Sequence, residues 1–187
     1  MECADSSFLL EIMANVTAAL SIVLAGRNNV HGWWLSIVAG ALFAFVFAQA
    51  RLYGQVTLQV FFMVVSAIGW WQWLRGDAGG PLVISRLAPR TWLWLVPAVV
   101  AGAVGYGWLL GRHTDGHAPW LDAAIVVLSM AGQLLMMRRK LECWWIWLLV
   151  NTLAVPLYYS GGLQLTAVLY VGYWINALLA LRHWRRQ

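Results

Sequence analysis

Seven stretches of almost unbroken apolar residues alternate with six short polar breaks along this chain. They run over 8–26, 31–50, 54–74, 91–111, 119–137, 143–160 and 163–183. Each approaches the ~20 residues an α-helix needs to cross roughly 30 Å of hydrocarbon. The breaks GRNNVHG, ARLYG, RGDAGGPLVISRLAPRT, GRHTDGHAP, RRKLE and SGG leave no room for a soluble domain, and the longest is expected to hold a short amphipathic turn. The pattern predicts an all-α integral membrane protein with seven transmembrane helices.

Composition sharpens this picture. Of 187 residues, 62% are hydrophobic and 10% charged, against about 25% charged in soluble domains. The N-terminal MECADSSFLLEIM is acidic and lacks the basic flank of a secretory signal, so Phe8 onward reads as a retained span. Cys3 and Cys143 are expected near opposite membrane faces and therefore unpaired. The net charge of +5 reports topology rather than nucleic acid. With the N-terminus outside, the cytoplasmic segments hold Arg27, Arg75, Arg86, Arg90, Arg138, Arg139, Lys140, Arg182, Arg185 and Arg186, and the outer ones only Arg51 and Arg112. Ten cations against two place the N-terminus outside and the C-terminus in the cytoplasm.

Sliding the chain on itself by 111 positions brings Trp33-Trp34 onto Trp144-Trp145, Trp73 onto Trp184, Arg75 onto Arg186 and Glu11 onto Asp122, without a gap. The match predicts a duplicated unit of three spans. Three is odd, so a direct fusion would invert the second copy, and the fourth span restores its direction. The expected architecture is 3+1+3: a first three-helix repeat over 8–75, a linker with the fourth helix over 76–118, and a second, parallel repeat over 119–187. Parallel repeats of this kind are one transporter plan, with the site between the halves.

Candidate chemistry is sparse. There is no Ser/His/Asp arrangement, zinc motif or nucleotide loop, so no catalytic residue, metal or cofactor is expected. Glu11 and Asp122 sit near outer span ends, where capping a helix N-terminus is the ordinary role. Most of the fourteen tryptophans, Trp144 and Trp145 among them, fall at span ends, where indoles form an aromatic belt. Depth singles out others. Counting from Cys143 at ~1.5 Å per residue, Trp147 lies ~6 Å and Asn151 ~12 Å into the sixth span. Four apart, they share one helix face. Pro156 is expected to leave the Thr152 carbonyl without its helical donor and to kink the span. Such polar groups must face protein or a water-lined interior. Two readings of Asn151 stay open, a helix–helix hydrogen bond and a ligand contact. In the seventh span Thr166, Tyr170 and Tyr173 form a stripe whose partners under the offset are Gln55, Gln59 and Phe62. Polar groups on both copies suggest a lined passage; Asn15, Gln133 and Asn176 are weaker candidates. The lining would hold indoles, phenols and amides but no deep cation, which suits a flat, unphosphorylated, hydroxylated ring. With no deep acid to bind an ion, passive facilitated diffusion is the simplest mechanism.

WWIWLLVNTLAVPLYYSGGLQLTAVLYVGYWINALLALRHWRR and ARLYGQVTLQVFFMVVSAIGWWQW resemble the Pnu-type bacterial vitamin transporters, the nicotinamide riboside transporters and their thiamine-carrying relatives. The most specific parts are W-x-x-x-N-x-x-x-x-P-L-Y and L-x-x-T-A-x-L-Y. The resemblance implies a seven-span fold that doubles the three-helix unit of SWEET sugar transporters, assembled as a homotrimer in the inner membrane. It implies uptake of an unphosphorylated vitamin down its gradient, nicotinamide riboside first and thiamine as the alternative, with trapping by a cytoplasmic kinase. It assigns Trp144, Trp145 and Asn151 to the site-bearing part of the sixth span and Gln59 to the polar position of the third. From other classes, a membrane enzyme would need an interfacial acid such as Asp122 or Glu11 for turnover, and a structural protein would tolerate Asn151→Leu.

Overall fold

The computed structural model describes residues 2–49, 53–76, 83–113, 118–160 and 164–187. These form seven α-helices and no strand: α1 (Glu2–Gly26), α2 (His31–Gln49), α3 (Tyr53–Arg75), α4 (Pro89–His113), α5 (Pro119–Met137), α6 (Cys143–Ser160) and α7 (Gln164–Trp184). The helices follow the apolar stretches, since each run must satisfy its own backbone hydrogen bonds away from water. Two of them, α4 and α5, are long and apolar enough by composition alone to cross a membrane.

Three expectations change. Helix α1 begins at Glu2, so Glu11 lies well inside it rather than at its head and cannot cap it; the Glu11 side chain is outside the described residues. Helix α5 starts after Ala118 with Pro119 in its first turn and no side-chain cap. The cap position is held by Ala118, whose methyl cannot accept a hydrogen bond, and Asp122, inside the first turn, contributes a charge near the helix N-terminus. The described part of the longest break, 83–88, is an extended strap rather than an amphipathic turn.

The chain divides into two compact units, Met1–Leu82 and Val83–Gln187. In the first, α2 packs along both α1 and α3. In the second, α4 packs on α5, α5 on α6 and α6 on α7.

Both units turn from their first to their second long helix in the same way. At the end of α1, Asn28 takes a left-handed φ of 56°; at the end of α5, Arg139 takes 47°. Asn28 N–H donates to Ala25 O at 3.0 Å and Asn29 N–H to Leu24 O at 2.9 Å. Arg139 N–H donates to Met136 O at 3.0 Å and Lys140 N–H to Leu135 O at 2.9 Å. Each is a Schellman ending, which satisfies carbonyls that would otherwise lack donors. Next to each turn, two buried indoles meet edge to face: Trp33 with Trp73 at 5.3 Å and 79°, and Trp144 with Trp184 at 5.4 Å and 82°. Such pairs tie together the helices they come from.

One difference separates the two turns. Asparagine tolerates the left-handed region and arginine does so at a cost. The second turn has a support that the first lacks among the described residues. Ser85 of the strap donates its N–H to Arg139 O at 3.1 Å and accepts the Leu141 N–H at 3.0 Å. Lys140 Nζ donates to Ser85 Oγ at 2.8 Å, and Leu87 N–H donates to Glu142 Oε2 at 2.9 Å. Burial against this assembly draws the Arg139 guanidinium below its ordinary pKa.

Candidate functional site

Helix α6 turns one face inward. Cys143, Trp144, Ile146, Leu148, Val150, Asn151 and Ala154 are buried, whereas Trp145 and Leu149 are exposed. Neighbouring positions on a helix diverge by ~100°, so the two adjacent tryptophans part company. Trp144 is 2% exposed and packs on Trp184 of α7. Trp145 is 51% exposed, with the Arg185 guanidinium 5.2 Å from its ring centre.

Along the inward face, Trp147 and Asn151 follow one turn apart, as their spacing requires. The Trp147 ring lies against Gly132 of α5. A Cβ at that glycine would stand 3.3 Å from Cε2 and 3.4 Å from Nε1 of the indole. The Trp147 Nε1–H is buried and has no hydrogen-bond partner among the described residues. Asn151, one turn further on, is 3% exposed. Buried polar groups are nearly always paired, and the Trp147 indole shares its unpaired N–H with the buried indoles of Trp33 and Trp144.

Further along the same face, Tyr158 meets Tyr170 of α7 at 4.9 Å, and Tyr170 meets Tyr173 at 5.5 Å. Tyr158 carries no assignment from the sequence, although it closes the W-x-x-x-N-x-x-x-x-P-L-Y run on the stripe of Trp147 and Asn151. Its tyrosine contacts depend on α7, which no spacing within α6 encodes. Gly132 was equally invisible, since a glycine carries no side-chain signal. Helix α6 continues through Pro156 to Ser160. Thr152 Oγ1 donates to Leu148 O at 2.8 Å and accepts the Trp174 indole N–H at 3.2 Å. In the second unit Trp144 and Tyr158 of α6 thus meet Trp184 and Tyr170 of α7, Tyr170 meets Tyr173, Trp147 faces α5, Asn151 is buried, and Trp145 is turned away.

In the first unit, Gln59 is half-buried on α3. Gln55 and Thr166 belong to α3 and α7, but their side chains lie outside the described residues. Ser36 and Ser66 satisfy each other, Ser66 Oγ donating to Ser36 Oγ at 3.1 Å. No group of three or more metal-ligating side chains occurs among the described residues.

A chain of apolar helices with a mostly neutral, aromatic and amide-bearing inner face is what a carrier of small ring compounds needs. The family model described as nicotinamide mononucleotide transporter matches residues 8–186. This chain belongs to that family. Its members are transporters, so the protein is a membrane transporter and not an enzyme. Among curated relatives, the nicotinamide riboside transporter PnuC of Neisseria mucosa is 30% identical, over 95% of this chain and 72% of that one. PnuC of Escherichia coli is 24% identical, over 94% and 84%. The riboflavin/roseoflavin transporter RibM of Streptomyces davaonensis is 28% identical, over 93% and 83%. A solved structure described as the vitamin B3 transporter PnuC superposes with a TM-score of 0.73 at 27% identity, covering 95% of this chain and 81% of its own.

Proposed function

We propose that this transporter carries unphosphorylated nicotinamide riboside across the bacterial inner membrane by facilitated diffusion. The observation that carries this reading is the α6 stripe on which the unpaired Trp147 indole N–H and the buried Asn151 amide lead to the tyrosine cluster. A pyridinium ring suits indole and phenol faces. A carboxamide and a ribose can exchange hydrogen bonds with an amide and an indole N–H. The family description names the mononucleotide and the PnuC relatives are named for the riboside. The stripe favours the riboside, because a phosphate calls for cationic partners and α6 has none. Riboflavin is the second reading, favoured by the similarity to RibM; thiamine stands on the resemblance alone.

The architecture we infer is 3+1+3, two copies of a three-helix unit separated by α4. Its support is the 111-residue offset, which carries Asn28 onto Arg139, each Schellman bond onto its counterpart, and Trp33 and Trp73 onto Trp144 and Trp184. Gln55, Gln59 and Thr166 join the lining through that offset. In the second unit Arg86, Arg90, Lys140 and Arg185 cluster near the helix ends joined by the strap, and Arg112 lies at the opposite end of α4. That asymmetry supports a cytoplasmic C-terminus. Assembly as a homotrimer and trapping by a cytoplasmic kinase complete the proposal.

Titrating the purified protein with nicotinamide riboside should quench its tryptophan fluorescence saturably, with nicotinamide mononucleotide, riboflavin and thiamine as comparators. Tight binding of a comparator and none of the riboside would reassign the substrate. In liposomes, uptake should survive a collapsed proton gradient; strict dependence on that gradient would rule out facilitated diffusion.

A further inference from the structure

The strap and the end of α7 border an open cleft of about 530 Å³, lined by Ile84, Ser85, Arg86, Leu141, Trp184, Arg185 and Gln187. Its size falls within the ~300–1,000 Å³ of common ligand pockets. The cleft lies at the basic end of the second unit, away from the stripe on α6. Two guanidinium groups line it, and neither Arg86 nor Arg185 has an ion-pair or hydrogen-bond partner among the described residues. The acid nearest in the chain to the strap's contacts, Glu142, is engaged by the Leu87 N–H and is not a lining residue.

The cleft is also built rather than incidental. Ser85 is held on both sides of its peptide by Arg139 and Leu141, and its hydroxyl receives Lys140 Nζ. Arg185 is steadied by Trp145 beneath it. A stacked guanidinium keeps its in-plane N–H groups directed outward, in the geometry that meets phosphate oxygens in pairs. Cations gathered at one place repel one another, and an anion between them relieves that repulsion. The apolar lining residues Ile84 and Leu141 can accommodate the less polar part of a ligand whose charge is met by the arginines.

We infer that this cleft is a binding site for a phosphate group, held by Arg86 and Arg185 with Ser85 and Gln187 at its margin. Two sources share that chemistry: the headgroup of an anionic phospholipid, and a soluble phosphate monoester. The inference is independent of which vitamin is carried, because no lining residue belongs to the α6 stripe.

The test uses the full-length protein, delipidated in detergent, alongside two double variants: Arg86→Gln/Arg185→Gln, and as a charge-matched control Arg90→Gln/Arg186→Gln. Binding of phosphatidylglycerol against phosphatidylcholine is read by native mass spectrometry. Binding of inorganic phosphate and of adenosine monophosphate is read by the shift in thermal unfolding. The lining variant should bind the preferred phosphate ligand at least about tenfold more weakly, as expected for losing two charge-assisted contacts, and the control should bind it as the parent does. Selective loss of phosphatidylglycerol identifies the lipid headgroup, and selective loss of the monophosphate shift identifies the soluble ligand. Equal loss in both variants, or no saturable binding by the parent, overturns the inference. The parent alone supplies a second reading: sulfate should displace the phosphate ligand and chloride at equal ionic strength should not. Equal displacement by both salts also overturns the site.

Discussion

The two compact units share a helix-ending turn and a tryptophan pair and differ at the middle of the helix that follows the turn. Each has the same turn, the same Schellman bonds and the same edge-to-face tryptophan pair. Where the second unit carries Trp147 and Asn151, the offset places Ser36 and Gly40 in the first. Ser36 is paired with Ser66, and the space at Gly40 is filled by Met63, whose Cγ would lie 2.8 Å from an added Cβ. In the first unit the middle of α2 is thus filled by α3, whereas in the second the Trp147 indole N–H lies buried at the α5 contact without a partner among the described residues. Near the turns the copies do not differ in this way, since the Trp33 and Trp144 indole N–H groups are both buried and unpaired there.

The largest expected effect tests the shared scaffold. Trp73→Ala and Trp184→Ala should each destabilise the protein by ~3–5 kcal/mol, read by thermal unfolding in detergent. A large loss in one and almost none in the other would mean that the two pairs are not equivalent. Next in size comes the difference in ligand groups. Asn151→Leu should keep the fold and weaken riboside binding at least about tenfold, with Gln59→Leu acting in the same direction; parental affinity in Asn151→Leu would remove Asn151 from the lining. Gly132→Ala sharpens the same point from a neighbouring helix. The added methyl must displace the Trp147 ring by a few tenths of an ångström, weakening binding about threefold while costing about 1 kcal/mol in stability. An unchanged affinity would show that the position of the indole does not matter. Smallest is Ser66→Ala, which should cost about 0.6 kcal/mol and leave riboside affinity untouched, because that hydroxyl is buried and bonded to Ser36 within the protein. A clear loss of affinity would extend the lining in the first unit beyond Gln59.

Much of this was legible in the chain. Hydropathy located all seven helices, because a run of apolar residues in lipid has few ways to satisfy its backbone other than a helix. The spacing of Trp147 and Asn151 put them on one face for the same local reason. Adjacent Trp144 and Trp145 could not be resolved that way: one had to turn inward and one outward, and only the position of Trp184 on α7 decides between them.

By itself, then, the sequence determined what depends on near neighbours: helix limits, the stripe on α6, the charge bias of the loops and the 111-residue offset. The tertiary structure alone decided what depends on side chains distant in the chain. It brought Ser85 to Lys140, Tyr158 to Tyr170 and Gly132 beneath Trp147. The physical reason is that helix periodicity is set by backbone geometry over a few residues, whereas the partner of a buried indole or an extended strap is set by the surface another helix presents to it.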